Sequence, residues 1–186
     1  MRVLLSFVPL ILFPFVAGFY SVAAGLWVAA MAACLAVAGD RLKSQRAVKL
    51  LDVGQLCLFG VLAVYATALR ASPDVSWVKL IVNAGMLAIV LGSIAAGRPF
   101  TLQYAREQTP QELWRSARFI STNYRISSVW AAAFGVGVAA DLAKLATPGV
   151  SHGLESAASI AALVLAGMFT GWYPKHVRAS ARAEND

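Results

Sequence analysis

From residue 3 to residue 39 the chain carries no charged side chain, and further apolar stretches follow at 50–69, 77–96, 126–147 and 156–173. About 20 helical residues cross the roughly 30 Å hydrocarbon layer of a bilayer. The first run is therefore too long for one crossing and suits two, with Gly18, Phe19, Tyr20 and Ser21 as the break. Pro9 and Pro14 make its first half short or kinked. The pattern predicts an all-α, polytopic membrane helix bundle forming a single domain over 1–186. Its six transmembrane helices fall at 3–18, 21–39, 50–69, 77–96, 126–147 and 156–173. A five-crossing variant, in which 3–18 re-enters rather than spans, places the amino terminus on the other side. No internal repeat is visible.

The longest polar stretch, 98–125, has a pattern of its own. Thr109-Pro110-Gln111-Glu112 reads as a capping box with proline at the first helical position. From there Leu113, Ala117, Ile120 and Tyr124 recur at helical spacing, with Arg115, Arg118, Thr122 and Arg125 opposite. Trp114 stands beside the apolar stripe. The expectation is a basic amphipathic helix over about 110–123, lying on the membrane surface. Small residues spaced by four (Gly25, Ala29, Ala33; Ala131, Gly135, Ala139; Gly167, Gly171) predict faces where backbones approach closely. Such faces serve a single bundle or a homodimer.

Charge placement orients the bundle. Only 13% of the 186 residues are charged and mean hydropathy is +0.68, whereas a soluble domain carries about 25% charge. The net charge of +7 sits in short loops between apolar runs, which points to anionic lipid rather than nucleic acid. With the amino terminus cytoplasmic, the inner side holds Arg2; Arg41, Lys43, Arg46 and Lys49; Arg98, Arg106, Arg115, Arg118 and Arg125; and Lys175, Arg178 and Arg182. That leaves Arg70, Lys79 and Lys144 on or near the outer side, so both termini are expected in the cytoplasm. Arg2 before an apolar run resembles a signal peptide, but the run continues past residue 30 with no polar cleavage region. Cys34 and Cys57, both inside apolar runs, read as small buried hydrophobes.

Polar side chains at membrane depth are candidates for function. Asp52 and Gln55 share a face near the inner end of the third helix. Lys79 and Asn83 share one near the outer end of the fourth, and Asp141 and Lys144 lie in the outer third of the fifth. An Asp141–Lys79 or Asp141–Lys144 pair would lower the cost of burying Asp141. Lys79 and Lys144 also read as residues that snorkel to the interface, and Asp52 as a carboxylate at a helix start. His152 and His176 fall on opposite sides and cannot share a metal. No catalytic motif, metal site or cofactor site is found.

Phe7-Val8-Pro9-Leu10, Trp77 with Lys79, Gly97-Arg98-Pro99, Trp114, and Asn123 with Trp130 and Phe134 occur in an order that resembles the intracellular septation protein A family. The likeness covers roughly residues 4 to 134, and 100–107 departs from it, as in a divergent relative. The resemblance implies a bacterial inner-membrane protein tied to envelope maintenance or division, acting through protein partners. The expected function is binding, with Arg98, Tyr104, Arg106, Arg115 and Arg118 framing a site for lipid phosphate or a partner. The rival expectation is a small transporter or channel with a polar path around Asp141, Lys79 and Asn83. A third is a lipid-modifying enzyme that holds a phosphate on its arginines.

Overall fold

The computed structural model of the chain describes residues 6–44, 49–68, 73–147 and 152–183, and among these every regular element is helical. The elements are α1 (Val8–Phe19), α2 (Val22–Ser44), α3 (Leu50–Ala68), α4 (Val75–Ala95), α5 (Thr101–Arg106), a single 3-10 turn (Gln111–Leu113), α6 (Ala117–Ala146) and α7 (His152–Ala183). Residues 3–5 of the first expected crossing, residue 69 of the third, and the topology markers Arg2, Arg46 and Arg70 lie outside the described residues.

Five helices are long and apolar enough to cross a membrane: Val22–Leu42, Leu50–Ala68, Val75–Ala95, Ala117–Ala146 and Glu155–Ser180. Their outward faces carry large apolar side chains such as Leu35, Val61, Leu165 and Met168. This is the surface of a membrane protein, since water tolerates only small patches of that kind. The sixth expected crossing corresponds to α1, whose 12 residues rise only about 18 Å. Cys34 and Cys57 lie on the exposed surface, not in the core as expected.

The bundle has two halves. In the first, α2 packs along both α1 and α3, and Phe13, Leu26, Ala29, Phe59, Ala63 and Val82 fill the interior. Gly25 permits the close α1–α2 approach, because an added Cβ would stand 2.7 Å from the Phe13 carbonyl oxygen. In the second, α6 packs along α4 and α7 around Met86, Val90, Ile126, Trp130 and Phe134. Phe7 joins the halves: its ring stacks on Trp130 at 3.9 Å between centroids and 7° between planes. The expected ridge of Ala131, Gly135 and Ala139 does not form a close contact, for Gly135 has open space around it and Ala139 is exposed.

Local sequence accounts for the joints. Asp74 caps α4 by accepting from the Ser76 N–H at 2.7 Å, so the helix starts two residues before Trp77. At its end Gly97 takes φ +71°, its N–H reaching Ile94 O and the Arg98 N–H reaching Ser93 O, both at 3.0 Å. This is a Schellman cap, and Pro99 prevents the helix from continuing. The chain then turns inward through the fully buried Phe100 into α5, whose Thr101 hydroxyl donates to the Asn123 carbonyl at 2.9 Å.

The surface helix expected over 110–123 is not a separate element. Pro110 is followed by one 3-10 turn. The helix begins only after Ser116, whose hydroxyl accepts from the Phe119 N–H at 3.2 Å. The basic segment is instead the first turns of α6, which at 30 residues extends about 45 Å and overruns a bilayer.

Candidate functional site

The α5 end of the bundle holds a cleft of about 400 Å³ between the 101–116 segment, the first turns of α6 and the second half of α7. Leu113, Phe119, Ile126 and Val177 give it apolar walls, and Gly167 and Gly171 line it along α7. The GxxxG pair lies in the lining of the cleft. Arg118, Lys175 and Arg178 supply cations to its lining, and Tyr104, Thr122 and Thr170 supply hydroxyls.

Of the five residues expected to frame a binding site, Tyr104 and Arg118 line this cleft. The Arg106 guanidinium lies 5.3 Å from the Trp114 ring centroid, and the Trp114 indole N–H donates to the Thr109 carbonyl at 2.9 Å. These contacts fold the 106–114 loop upon itself. Arg98 and Arg115 are exposed and stand outside the cleft. Lys175 and Arg178 were legible only as topology charges, because the sequence gives no sign that the last turns of α7 return to the start of α6.

Beside the cleft is a buried ionic network that the sequence did not disclose. Lys49, 5% exposed, pairs with Asp40 at 3.0 Å and with Glu107 at 3.4 Å, and its ammonium lies 4.9 Å from the Tyr104 ring centroid. The Tyr104 hydroxyl donates to Ser6 Oγ at 3.0 Å, and Gln55 Nε2 donates to the Ser6 carbonyl at 2.8 Å. Asp52 lies alongside the Ser6 and Tyr104 hydroxyls and is itself 3% exposed. Gln103 Oε1 accepts the Leu50 N–H at 2.8 Å, capping α3 from α5. Burial, reinforced by the neighbouring Asp52 carboxylate, pushes the Tyr104 phenol well above its ordinary value of 10.0. Three helices and the segment before α1 therefore meet on one hydrogen-bonded lattice.

The opposite end carries the remaining intramembrane polar residues. Asn83 Nδ2 donates to Asp141 Oδ2 at 2.7 Å, and Gly137 makes room for it, since an added Cβ would stand 2.9 Å from Asn83 Cγ. Lys79 pairs with Glu155 at 3.1 Å and donates to Ser156 Oγ at 2.9 Å. Asp141 is thus held directly by Asn83, with the Lys79 charge nearby, and the direct ion pair of Lys79 is with Glu155 on α7. Asp141 is 1% exposed and Glu155 4%. Lys144 lies three residues beyond Asp141 on α6. Asp141, Lys79 and Asn83 do converge, with Asp141 buried and Lys79 and Asn83 half-buried.

No group of three or more His, Cys, Asp or Glu side chains suited to a metal occurs among the described residues. Comparison with protein-family models, with curated proteins and with solved structures finds no match for this chain.

Proposed function

We propose that the protein binds an anionic phospholipid in the α5–α6–α7 cleft, as an envelope-linked protein of a bacterial inner membrane with both termini in the cytoplasm. The observation that carries this reading is the combination of apolar walls with Arg118, Lys175 and Arg178 on one cavity of about 400 Å³. Ligand pockets of this kind hold about 300–1,000 Å³, so the cleft takes a headgroup and the first part of a chain while the rest stays in the bilayer. A phosphate at the cationic mouth would make charge-assisted hydrogen bonds, and the basic turns of α6 would rest on the headgroup layer. The resemblance of residues 4 to 134 to the septation protein A family supports an envelope setting. The hydrogen bond and ion pair that engage Asn83, Asp141, Lys79 and Glu155 favour binding over the transporter alternative.

The test is lipid capture in nanodiscs of defined composition, read by native mass spectrometry. Wild type should retain phosphatidylglycerol over phosphatidylcholine, and Arg118→Gln with Arg178→Gln should lose about tenfold or more, the equivalent of one charge-assisted hydrogen bond. Arg115→Gln should change little, because Arg115 stands outside the cleft. Equal retention of both lipids by wild type would overturn the reading.

A further inference from the structure

One buried polar group in the lining of the cleft lacks a donor. Asn123 is 3% exposed, and its Nδ2 donates to the Phe119 carbonyl at 2.8 Å. That bond fixes which way the amide faces, because a carbonyl accepts only from the NH₂ side. Oδ1 receives no hydrogen bond and is not sealed from open space, and the open space beside Asn123 is the cleft.

The hydroxyls around it are spent or turned away. Thr101 donates to the Asn123 backbone carbonyl at 2.9 Å, so the Ser127 hydroxyl, also at 2.9 Å, donates to Thr101. Thr170 donates to the Ala166 carbonyl at 2.8 Å, and Tyr104 donates to Ser6 Oγ at 3.0 Å. Thr122 projects about 100° away around α6. An acceptor left bare in an apolar cleft carries the penalty of an unmade hydrogen bond.

The position of this acceptor says where its donor must lie. Arg118, Lys175 and Arg178 line the cleft with exposed side chains, whereas Asn123 and Ile126 are buried. Along α6, Asn123 stands roughly 7 Å past Arg118 and roughly 4–5 Å short of Ile126. The donor is therefore on the chain side of the phosphate and not on its outer side.

We infer that the occupant is a lysophospholipid, whose free backbone hydroxyl donates to Asn123 Oδ1 while its phosphate meets the exposed cations. The inference rests on the anionic-lipid reading and names the class of lipid. A diacyl phospholipid is esterified at both backbone positions and offers no donor between phosphate and chains. The hydroxyls of a glycerol headgroup, and the amine of ethanolamine, lie beyond the phosphate and face away from Asn123. A single acyl chain also suits a cleft of about 400 Å³, lying along Gly167 and Gly171 where α7 presents no side chain.

The test is native mass spectrometry of the full chain from detergent micelles. The probes are lysophosphatidylglycerol, its deoxy analogue lacking the backbone hydroxyl, phosphatidylglycerol and lysophosphatidylcholine. Wild type should retain lysophosphatidylglycerol about fivefold better than the deoxy analogue, the equivalent of one neutral hydrogen bond, and should also prefer it to phosphatidylglycerol. In Asn123→Leu the preference over the deoxy analogue should vanish. The deoxy analogue should bind this variant at least as well as wild type, which also reports that it is folded. If the variant does not fold, the wild-type comparison decides alone. Equal retention of lysophosphatidylglycerol and the deoxy analogue by wild type would overturn the inference and leave a water molecule on Asn123. The anionic-lipid reading would then still stand if both were retained over lysophosphatidylcholine, and would fall with it if they were not. A preference that persisted in folded Asn123→Leu would overturn the inference as well.

Discussion

Replacing Lys49 by methionine keeps most of the side-chain volume and deletes one charge, so it isolates what the ammonium does. In the native protein that charge faces Asp40 at 3.0 Å and Glu107 at 3.4 Å, with side chains 17% and 12% exposed against 6% for the lysine itself. Removing one partner of a buried ion pair costs about 3–5 kcal/mol, mainly by leaving the opposite charge desolvated and alone. Here Asp40 keeps some access to water and Glu107 has further contacts, which lowers the figure to about 2–4 kcal/mol. The ammonium also lies over the Tyr104 ring, a contact that contributes about 0.5–2 kcal/mol within the same total. Equilibrium unfolding in mixed detergent micelles would measure the loss. A second variant, Lys49→Met with Asp40→Asn, should recover part of it, because the stranded carboxylate is then neutral. A loss under about 1 kcal/mol, or a double variant no better than the single, would refute the claim that Lys49 is held by buried charge.

Tyr104→Phe should change the alkaline limb of stability. A phenol raised in the folded state above its ordinary value of 10.0 stabilises the fold fully below that pH, and this contribution is lost as pH rises beyond it. Wild type should therefore weaken above about pH 10, and Tyr104→Phe should weaken less steeply in the same titration, despite a lower starting stability from the lost Ser6 bond. Gly137→Ala should cost about 1–3 kcal/mol in unfolding experiments, since its Cβ would stand 2.9 Å from Asn83 Cγ and push the amide from Asp141. Gly135→Ala, with nothing within 4 Å of the new methyl, serves as its neutral control.

The long helices were legible because hydropathy over 20 residues is a strong signal and lipid leaves few alternatives to a helix. Their ends were less so. The apolar run stops at residue 39, yet α2 continues to Ser44 and brings Asp40 to Lys49, since helix propensity does not end where hydrophobicity does. The 110–123 segment misled in a different way. Thr109-Pro110-Gln111-Glu112 has the spacing of a cap, but Trp114 ties back to Thr109 and Arg106, so the cap that starts the helix is Ser116. Site residues divided by how local their partners are. Asp52 with Gln55, and Lys79 with Asn83, could be placed on shared faces by counting along one helix, but their partners lie on other segments. Lys49 could not, because its partners stand nine residues back and 58 residues ahead. Nor could Glu155, whose partner Lys79 stands 76 residues back.

Phe7 stacks on Trp130, roughly 120 residues further along the chain. A ribosome adding about 5–20 residues per second takes roughly 6–25 s to make that partner. For that interval the Phe7 ring lacks its Trp130 seat and has only the helices made before α6 to lean on. The residue that leads into α1 is thus locked only once α6 exists, and the two halves of the bundle are joined by that late contact.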